Sequence, residues 1–378
     1  MSRLRARRSA LVVVAAATAS ILTFAPQAGA APEPAPDPAS TDAASADATT
    51  QFAAAPVDTL ATTDAATAGS CTVSAKLVPS CGAWLGASTA AKSGKLSGSD
   101  YVIGLNEYEA VAQNTPDILH FYKNGAQKFP TSTEIGMAER TGKQRSLLFY
   151  NWKPGSGLTW RAVANGAADS AIQTVAASVK KYPHKLFMTI EHEPEADVGG
   201  TGKSAADYVA MYRYVVTKMK ALGATNVVWV MNYMGYNSWT SLFDPLYPGD
   251  TYVDWIAYDP YGFKMHTDFG LLLNTPKSGW AGFYAWATKK APGKPIMLGE
   301  WGWDLSKQPN APTILDGATS IIQSKFPMLK ALVYWNDDAG GFDVRIDQTT
   351  TLGKAYGAAY KRMANQSYYN QTSTAAAP

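Results

Sequence analysis

Acidic and aromatic residues collect in this sequence at one kind of place, the point where a short apolar run stops. Trp152, Glu191-His192-Glu193-Pro194-Glu195, Asn232-Tyr233, Asp259-Pro260-Tyr261, Glu300-Trp301 and Tyr334-Trp335-Asn336-Asp337 all stand there. Two of these acids, Glu193 and Glu300, end separate runs, so the fold can bring them together. A pair of carboxyl groups is the equipment for cleaving a glycosidic bond. One must protonate the leaving oxygen, and the other must attack the anomeric carbon or activate water. Their surroundings must differ, so that one keeps its proton near neutral pH while the other is ionised. Glu300 lies in Met297-Leu298-Gly299-Glu300-Trp301-Gly302, where glycine lets the backbone turn and leaves room for a substrate ring. The aromatics suit sugars, whose C–H faces stack on rings while their hydroxyls need hydrogen bonds. Candidate substrate contacts are therefore His192, Asp259, Tyr261, Trp152, Trp301 and Trp335. Each tryptophan is equally a candidate for plain core, and Asp259 for a structural hydrogen bond.

The runs that carry these residues imply the scaffold. Strand-length apolar segments occur at 82–85, 118–122, 146–152, 186–191, 227–232, 253–258, 295–299 and 331–335. Helical patterns lie between most of them, at 168–181, 204–222 and 312–325, while the first and fifth crossovers are less regular. The runs are apolar throughout instead of alternating, which is the pattern of parallel strands covered on both faces. Eight β-then-α units predict a (β/α)8 TIM barrel in a single catalytic domain, residues 70–365, with a doubly wound open sheet as the alternative. In a barrel, the loops that follow the strands form the active face. Glu193 then ends the fourth strand and Glu300 the seventh. Simple alternation puts Glu191 on the same face as Glu193.

With that arrangement, the sequence resembles the retaining (β/α)8 glycosidases of clan A, and within the clan the family-26 glycoside hydrolases, best known as endo-β-mannanases. The resemblance is carried by His192-Glu193, by Tyr247-Pro248-Gly249-Asp250-Thr251-Tyr252-Val253-Asp254-Trp255-Ile256 with Asp259-Pro260-Tyr261, and by Leu298-Gly299-Glu300-Trp301-Gly302. It extends weakly over most of residues 81–364. It implies Glu193 as acid/base, Glu300 as nucleophile, His192 beside the acid in the substrate pocket, and Tyr261 hydrogen-bonded to the nucleophile. It makes β-mannan the first expected substrate, with other β-glycans (xylan, β-glucan) or a non-catalytic glycan-binding barrel as alternatives. The mannanases carry an arginine shortly before the His-Glu pair and Met-Asn-Gly-like residues after it. This chain has Met188-Thr189-Ile190-Glu191 and Pro194-Glu195, at positions that shape the sugar subsites.

Other chemistries fit poorly. Asp197-Val198-Gly199-Gly200-Thr201-Gly202-Lys203-Ser204 follows a strand like a phosphate-binding loop, but Asp197 replaces the first glycine. A flexible turn with Ser204 capping a helix is the simpler reading. His192-Glu193 would open a zinc-protease HExxH, but Ala196 takes the second histidine position. Two cysteines and four histidines in the whole chain do not make a structural zinc site. No cofactor and no metal is expected.

The start of the chain, with four arginines in its first eight residues followed by an Ala/Val-rich run and Ala28-Gly29-Ala30, reads as an export signal over 1–30. The formal net charge of +3 includes those arginines, so the remainder is near neutral and carries no basic surplus for nucleic acid or an anionic membrane. Later apolar runs fall short of the ~18 residues of a membrane helix. An exported, extracellular monomer acting on polysaccharide is expected, with the export route open. Residues 31–69, rich in Ala, Pro, Asp, Thr and Ser, predict a disordered spacer, and 366–378 a disordered tail. Cys71 and Cys81 predict a disulfide that pins the start of the domain, the alternatives being free thiols or a redox pair.

Overall fold

The computed structural model describes residues 71–92, 98–338 and 342–369. The expected export signal and spacer lie outside the described residues, as does the tail from residue 370. Eight parallel strands close a barrel in sequence order: β1 (Trp84–Thr89), β2 (Ile118–Asn124), β3 (Leu147–Lys153), β4 (Leu186–Ile190), β5 (Val227–Tyr233), β6 (Trp255–Tyr258), β7 (Ile296–Leu298) and β8 (Leu329–Asn336), with β8 paired back on β1. This is the (β/α)8 barrel, and the open doubly wound sheet is excluded. The crossovers are α1 (Gly98–Ala112), α2 (Ser132–Ala138), α3 (Trp160–Ala164) with α4 (Asp169–Val179), α5 (Ala205–Ala221), α6 (Thr240–Leu246), α7 (Phe269–Leu273) with α8 (Phe283–Lys290), and α9 (Ala311–Lys325), while α10 (Thr351–Ala364) follows β8. Among the described residues, no helix is long and apolar enough to cross a membrane.

Strands are apolar on both faces because both faces are buried. Phe149, Phe187, Val228, Val230, Trp255, Met297 and Val333 fill the barrel interior. Their neighbours in sequence, such as Leu148, Met188, Trp229, Ile256 and Leu332, pack into the layer between barrel and helices. β1 runs four residues beyond the expected stretch because its last residues, Ser88 and Thr89, are polar yet buried at the barrel's upper end.

The lower end is closed. Cys71 and Cys81 are disulfide-bonded, with Cα atoms 5.7 Å apart. The loop they define carries Leu77, 3% exposed, onto the interior cluster, with Val73 and Val78 packed beside it. The indoles of Trp84 and Trp255 donate to the carbonyls of Leu77 (2.8 Å) and Lys76 (2.7 Å). Two aspartates just before strands brace the same end. Asp117 accepts from the Leu85 N–H (2.8 Å), and Asp254 from the Trp229 N–H (2.9 Å). At the other terminus the packed domain passes the expected boundary at Gln366. Tyr369 is buried with its hydroxyl accepting from Thr319, and the Tyr368 carbonyl accepts from the Ala83 N–H.

Candidate active site

The upper ends of the strands converge on three carboxyl groups. One oxygen each from Glu193 (after β4), Asp259 (after β6) and Glu300 (after β7) lie within 4.8 Å of one another. Among the described residues this is the cluster with the spacing of a cation site, and two of its three members already have protein donors. Tyr122, at the end of β2, donates to Glu300 Oε1 (2.7 Å), and Tyr261 donates to Oε2 (2.7 Å). Asp259 accepts from the Glu300 backbone N–H (2.8 Å) and from the Asn232 amide (2.6 Å).

Local structure explains how each group is held. Beyond β6 and β7 the chain makes a second, two-residue parallel pairing, Tyr261–Gly262 with Gly302–Trp303, which fixes Tyr261 over Glu300. The Tyr261 N–H also donates to the Tyr236 hydroxyl (3.3 Å). Gly299 is needed for a different reason from the one its sequence position suggested. A Cβ there would overlap Asn232 Oδ1 and lie 2.7 Å from Asp259 Oδ1, so the space belongs to protein side chains and not to a substrate ring.

Electrostatics separate the two glutamates. Burial, together with the negative charges of Glu300 and Glu195, pushes the Glu193 carboxyl well above its ordinary value. Burial raises Glu300 as well, but the two phenol donors oppose the shift by stabilising its charge. Of the two, Glu193 is thus pushed further toward its neutral form. Burial and the same two acids raise Asp259. His192 is pushed down to about 3 by burial and is neutral, with Nε2 3.9 Å from Glu300 Oε1.

The structure thus brings together Glu193, Glu300, His192, Asp259 and Tyr261. Trp335 joins them, its ring edge-on to Tyr261 at 5.9 Å. Trp152 and Trp301 do not face the mouth. Trp152 is fully buried among Phe129 and the helix layer, with its indole donating to the Gly125 carbonyl (2.9 Å). Trp301 packs on Phe269, Tyr334 and Tyr360. Both pack against the helix layer, Trp152 by strand parity and Trp301 because alternation breaks beyond Leu298, which corrects their expected role as a sugar platform. Glu191 is also displaced from its expected face, since its carboxylate accepts from the Trp160 indole of α3 (2.8 Å). Sequence reasoning missed Tyr122 and Tyr236. The signal for Tyr122 was available, because it closes the second apolar run as Glu193 closes the fourth.

No protein-family model matches the chain. Endoglucanase H of Acetivibrio thermocellus is 29% identical over 199 residues, 49% of this chain and 21% of that protein, so the chain spans about a fifth of that relative's length. The catalytic domain of the GH26 endo-β-1,4-mannanase from Bacillus sp. JAMB-750 superposes with a TM-score of 0.55 at 13% identity, covering 78% of this chain and 89% of that one. The fold is that of the family-26 glycoside hydrolases. A β-mannanase from a symbiotic protist of the termite Reticulitermes speratus, complexed with gluco-manno-oligosaccharide, gives 0.52 at 15% identity over 79% of this chain and 96% of that one.

Proposed function

We propose that this chain is a secreted, retaining, endo-acting glycoside hydrolase of a β-linked polysaccharide, working as a monomer without a cofactor. The observation that carries the reading is the approach of Glu193 and Glu300 to within 4.8 Å in unequal surroundings. Inverting enzymes keep their carboxyl groups about 6.5–9.5 Å apart to admit a water, whereas retaining enzymes hold them about 5–5.5 Å apart. Glu193 protonates the glycosidic oxygen while Glu300 attacks the anomeric carbon, and the aglycone leaves. Glu193, now ionised, takes a proton from the water that releases the sugar from Glu300. Tyr122 and Tyr261 hold the attacking carboxylate, and neutral His192 offers a ring N–H or lone pair to a sugar hydroxyl. Trp335 supplies an apolar face.

On substrate, the likenesses point two ways. The fold neighbours are mannanases, and the relative found by sequence is an endoglucanase. β-Mannan and β-glucan are therefore the first two substrates to try, ahead of xylan. The test is reducing-sugar release from that panel, with an NMR time course of the anomeric configuration of the first product. Shorter oligosaccharides accumulating with retained configuration are expected, unaffected by chelator. An inverted product would overturn the nucleophile assignment, and activity lost to chelator would make the carboxylates a cation site. Glu193→Ala should abolish polysaccharide hydrolysis yet keep appreciable activity on aryl glycosides with acidic leaving groups, which need less protonation.

A further inference from the structure

Two buried acids beside Glu193 have no part in that mechanism. Glu191 and Glu195 flank it at two-residue spacing, 6% and 1% exposed, and each is bonded away from the carboxylate cluster. We propose that Glu191 and Glu195 are positioning residues, two clamps that hold the left-handed turn bearing Glu193 and so aim its carboxyl at the glycosidic oxygen. The inference deepens the two-glutamate reading and rests on it.

The turn needs holding. Glu191 and Glu193 have φ of 50° and 52°, with His192 between them. Side-chain-bearing residues enter this region rarely and stay there only where surrounding structure over-determines them. Here the Glu191 N–H still reaches the Trp152 carbonyl on β3 (3.0 Å), and the Glu193 N–H reaches the Asn232 carbonyl on β5 (3.0 Å). The Tyr208 hydroxyl of α5 meets the carbonyls of Ile190 (2.9 Å) and Glu191 (3.2 Å). The side chains then fasten both ends of the turn. Glu191 Oε2 takes the Trp160 indole N–H (2.8 Å), tying the entry to α3. Glu195 Oε1 takes the backbone N–H groups of Met234 (2.9 Å) and Gly235 (3.4 Å), tying the exit to the end of β5. That anchor is itself fixed, because Gly235 has φ of 80° and packs against the Tyr258 ring.

The chemistry of the partners dictates an acceptor at both positions. An indole N–H and backbone N–H groups can only donate, and an apolar side chain in either place would leave them buried without a partner. For these hydrogen bonds charge is not the requirement. Burial pushes the Glu195 carboxyl up to about 7, so its neutral form is readily populated and glutamine can replace it as an acceptor.

The experiment compares polysaccharide with an aryl oligosaccharide of the same sugar bearing an acidic phenol, beside thermal unfolding of each variant. Glu195→Ala should lose about 10²-fold on polysaccharide and less than about 10-fold on the aryl substrate, because a misaimed acid matters little when the leaving group departs unaided. Glu195→Gln should recover most of the loss. Trp160→Phe, which frees Glu191 without touching the turn, should show the same leaving-group bias at smaller size. Equal losses on both substrates, or no loss on either, would overturn the clamps. Should Glu195→Ala fail to fold, Trp160→Phe decides by the same ratio. Glu193→Ala run in parallel separates the two claims. The bias there but not in the clamp variants removes the clamps alone, and its absence from Glu193→Ala removes the acid assignment itself.

Discussion

Both ends of this barrel carry wholly or partly buried carboxyl groups on the same kind of scaffold, and they are used in opposite ways. At the lower end Asp117 and Asp254 each stand one residue before a strand. Each completes a reciprocal exchange with the neighbouring strand: its own N–H donates to the carbonyl of Leu85 or Trp229, and its carboxylate accepts from that residue's N–H. A donor of fixed geometry satisfies each of these acids, which leaves it with a structural role. At the upper end Glu193, Asp259 and Glu300 face one another, where like charges and burial raise their proton affinities. The contrast lies in the partners: the lower acids face backbone N–H groups of a neighbouring strand, whereas the upper acids face one another, so that each feels its neighbours' charge.

The largest effect that would break this comparison is at the nucleophile. Glu300→Ala should lower turnover roughly 10⁴-fold or more, with thermal stability kept or raised, since a buried, crowded carboxylate has been removed. A marked drop in melting temperature would show that the upper acids are structural after all. Next in size, Tyr122→Phe should cost about 10- to 100-fold in kcat/KM, the worth of one hydrogen bond to a charged group at about 1.5–3 kcal/mol. Kinetics of the purified variant on the best glycan of the panel would check it, and a loss confined to stability would demote Tyr122 to packing.

Effects at the lower end should appear in stability alone. Replacing both cysteines, Cys71→Ser with Cys81→Ser, should cost about 2–3 kcal/mol, the loop-closure contribution of a short disulfide loop, and leave kcat/KM unchanged at a temperature where the protein stays folded. Denaturant titration with parallel assays would reveal it, and a fall in kcat/KM would mean that the plug shapes the mouth. The smallest effect concerns pH. Burial pushes the Asp117 carboxyl up to about 8, against about 3.9 unfolded. Between those values the folded state holds a proton that the unfolded chain releases. The stability from this group is thus complete below about pH 4 and is lost as pH rises through 8. Asp117→Asn keeps an acceptor for the Leu85 N–H, so it should melt like wild type at pH 4 and above it at pH 8–9. At the upper end, activity should fall at alkaline pH as Glu193 loses its proton and at acid pH as Glu300 gains one. Equal melting shifts at both pH values would remove Asp117 from the linkage.

The barrel was legible because eight strands buried on both faces leave eight apolar runs, and residues that end such runs are delivered to one rim. Glu193, Glu300, Tyr261 and Asp259 could be read for that reason. Side-chain direction at the rim was much less legible. Alternation holds through Ile190 and fails at once afterwards, because Glu191 turns left-handed and swings its carboxylate to Trp160. Trp152 went astray because a position at a strand end does not say which face the ring takes. Trp301 did so because alternation breaks beyond Leu298, so that its ring packs on Phe269 and Tyr360 instead of pointing inward with Met297. Tyr122 was legible as the residue that closes the second run, but its partner was not: it meets Glu300 across 178 residues of sequence, a contact created by closure of the barrel.

The plug under the barrel has a dielectric consequence for the rim. Above Leu77 the axis is filled by apolar side chains from Phe149, Phe187, Val230 and their neighbours, so the charge on Glu300 is screened by water only from the open side. A polysaccharide lying across the mouth displaces that water, and each interaction among the acids, phenols and the departing oxygen then acts in a medium of much lower polarisability. On the proposed reading, the polymer itself would complete the environment in which it is cut.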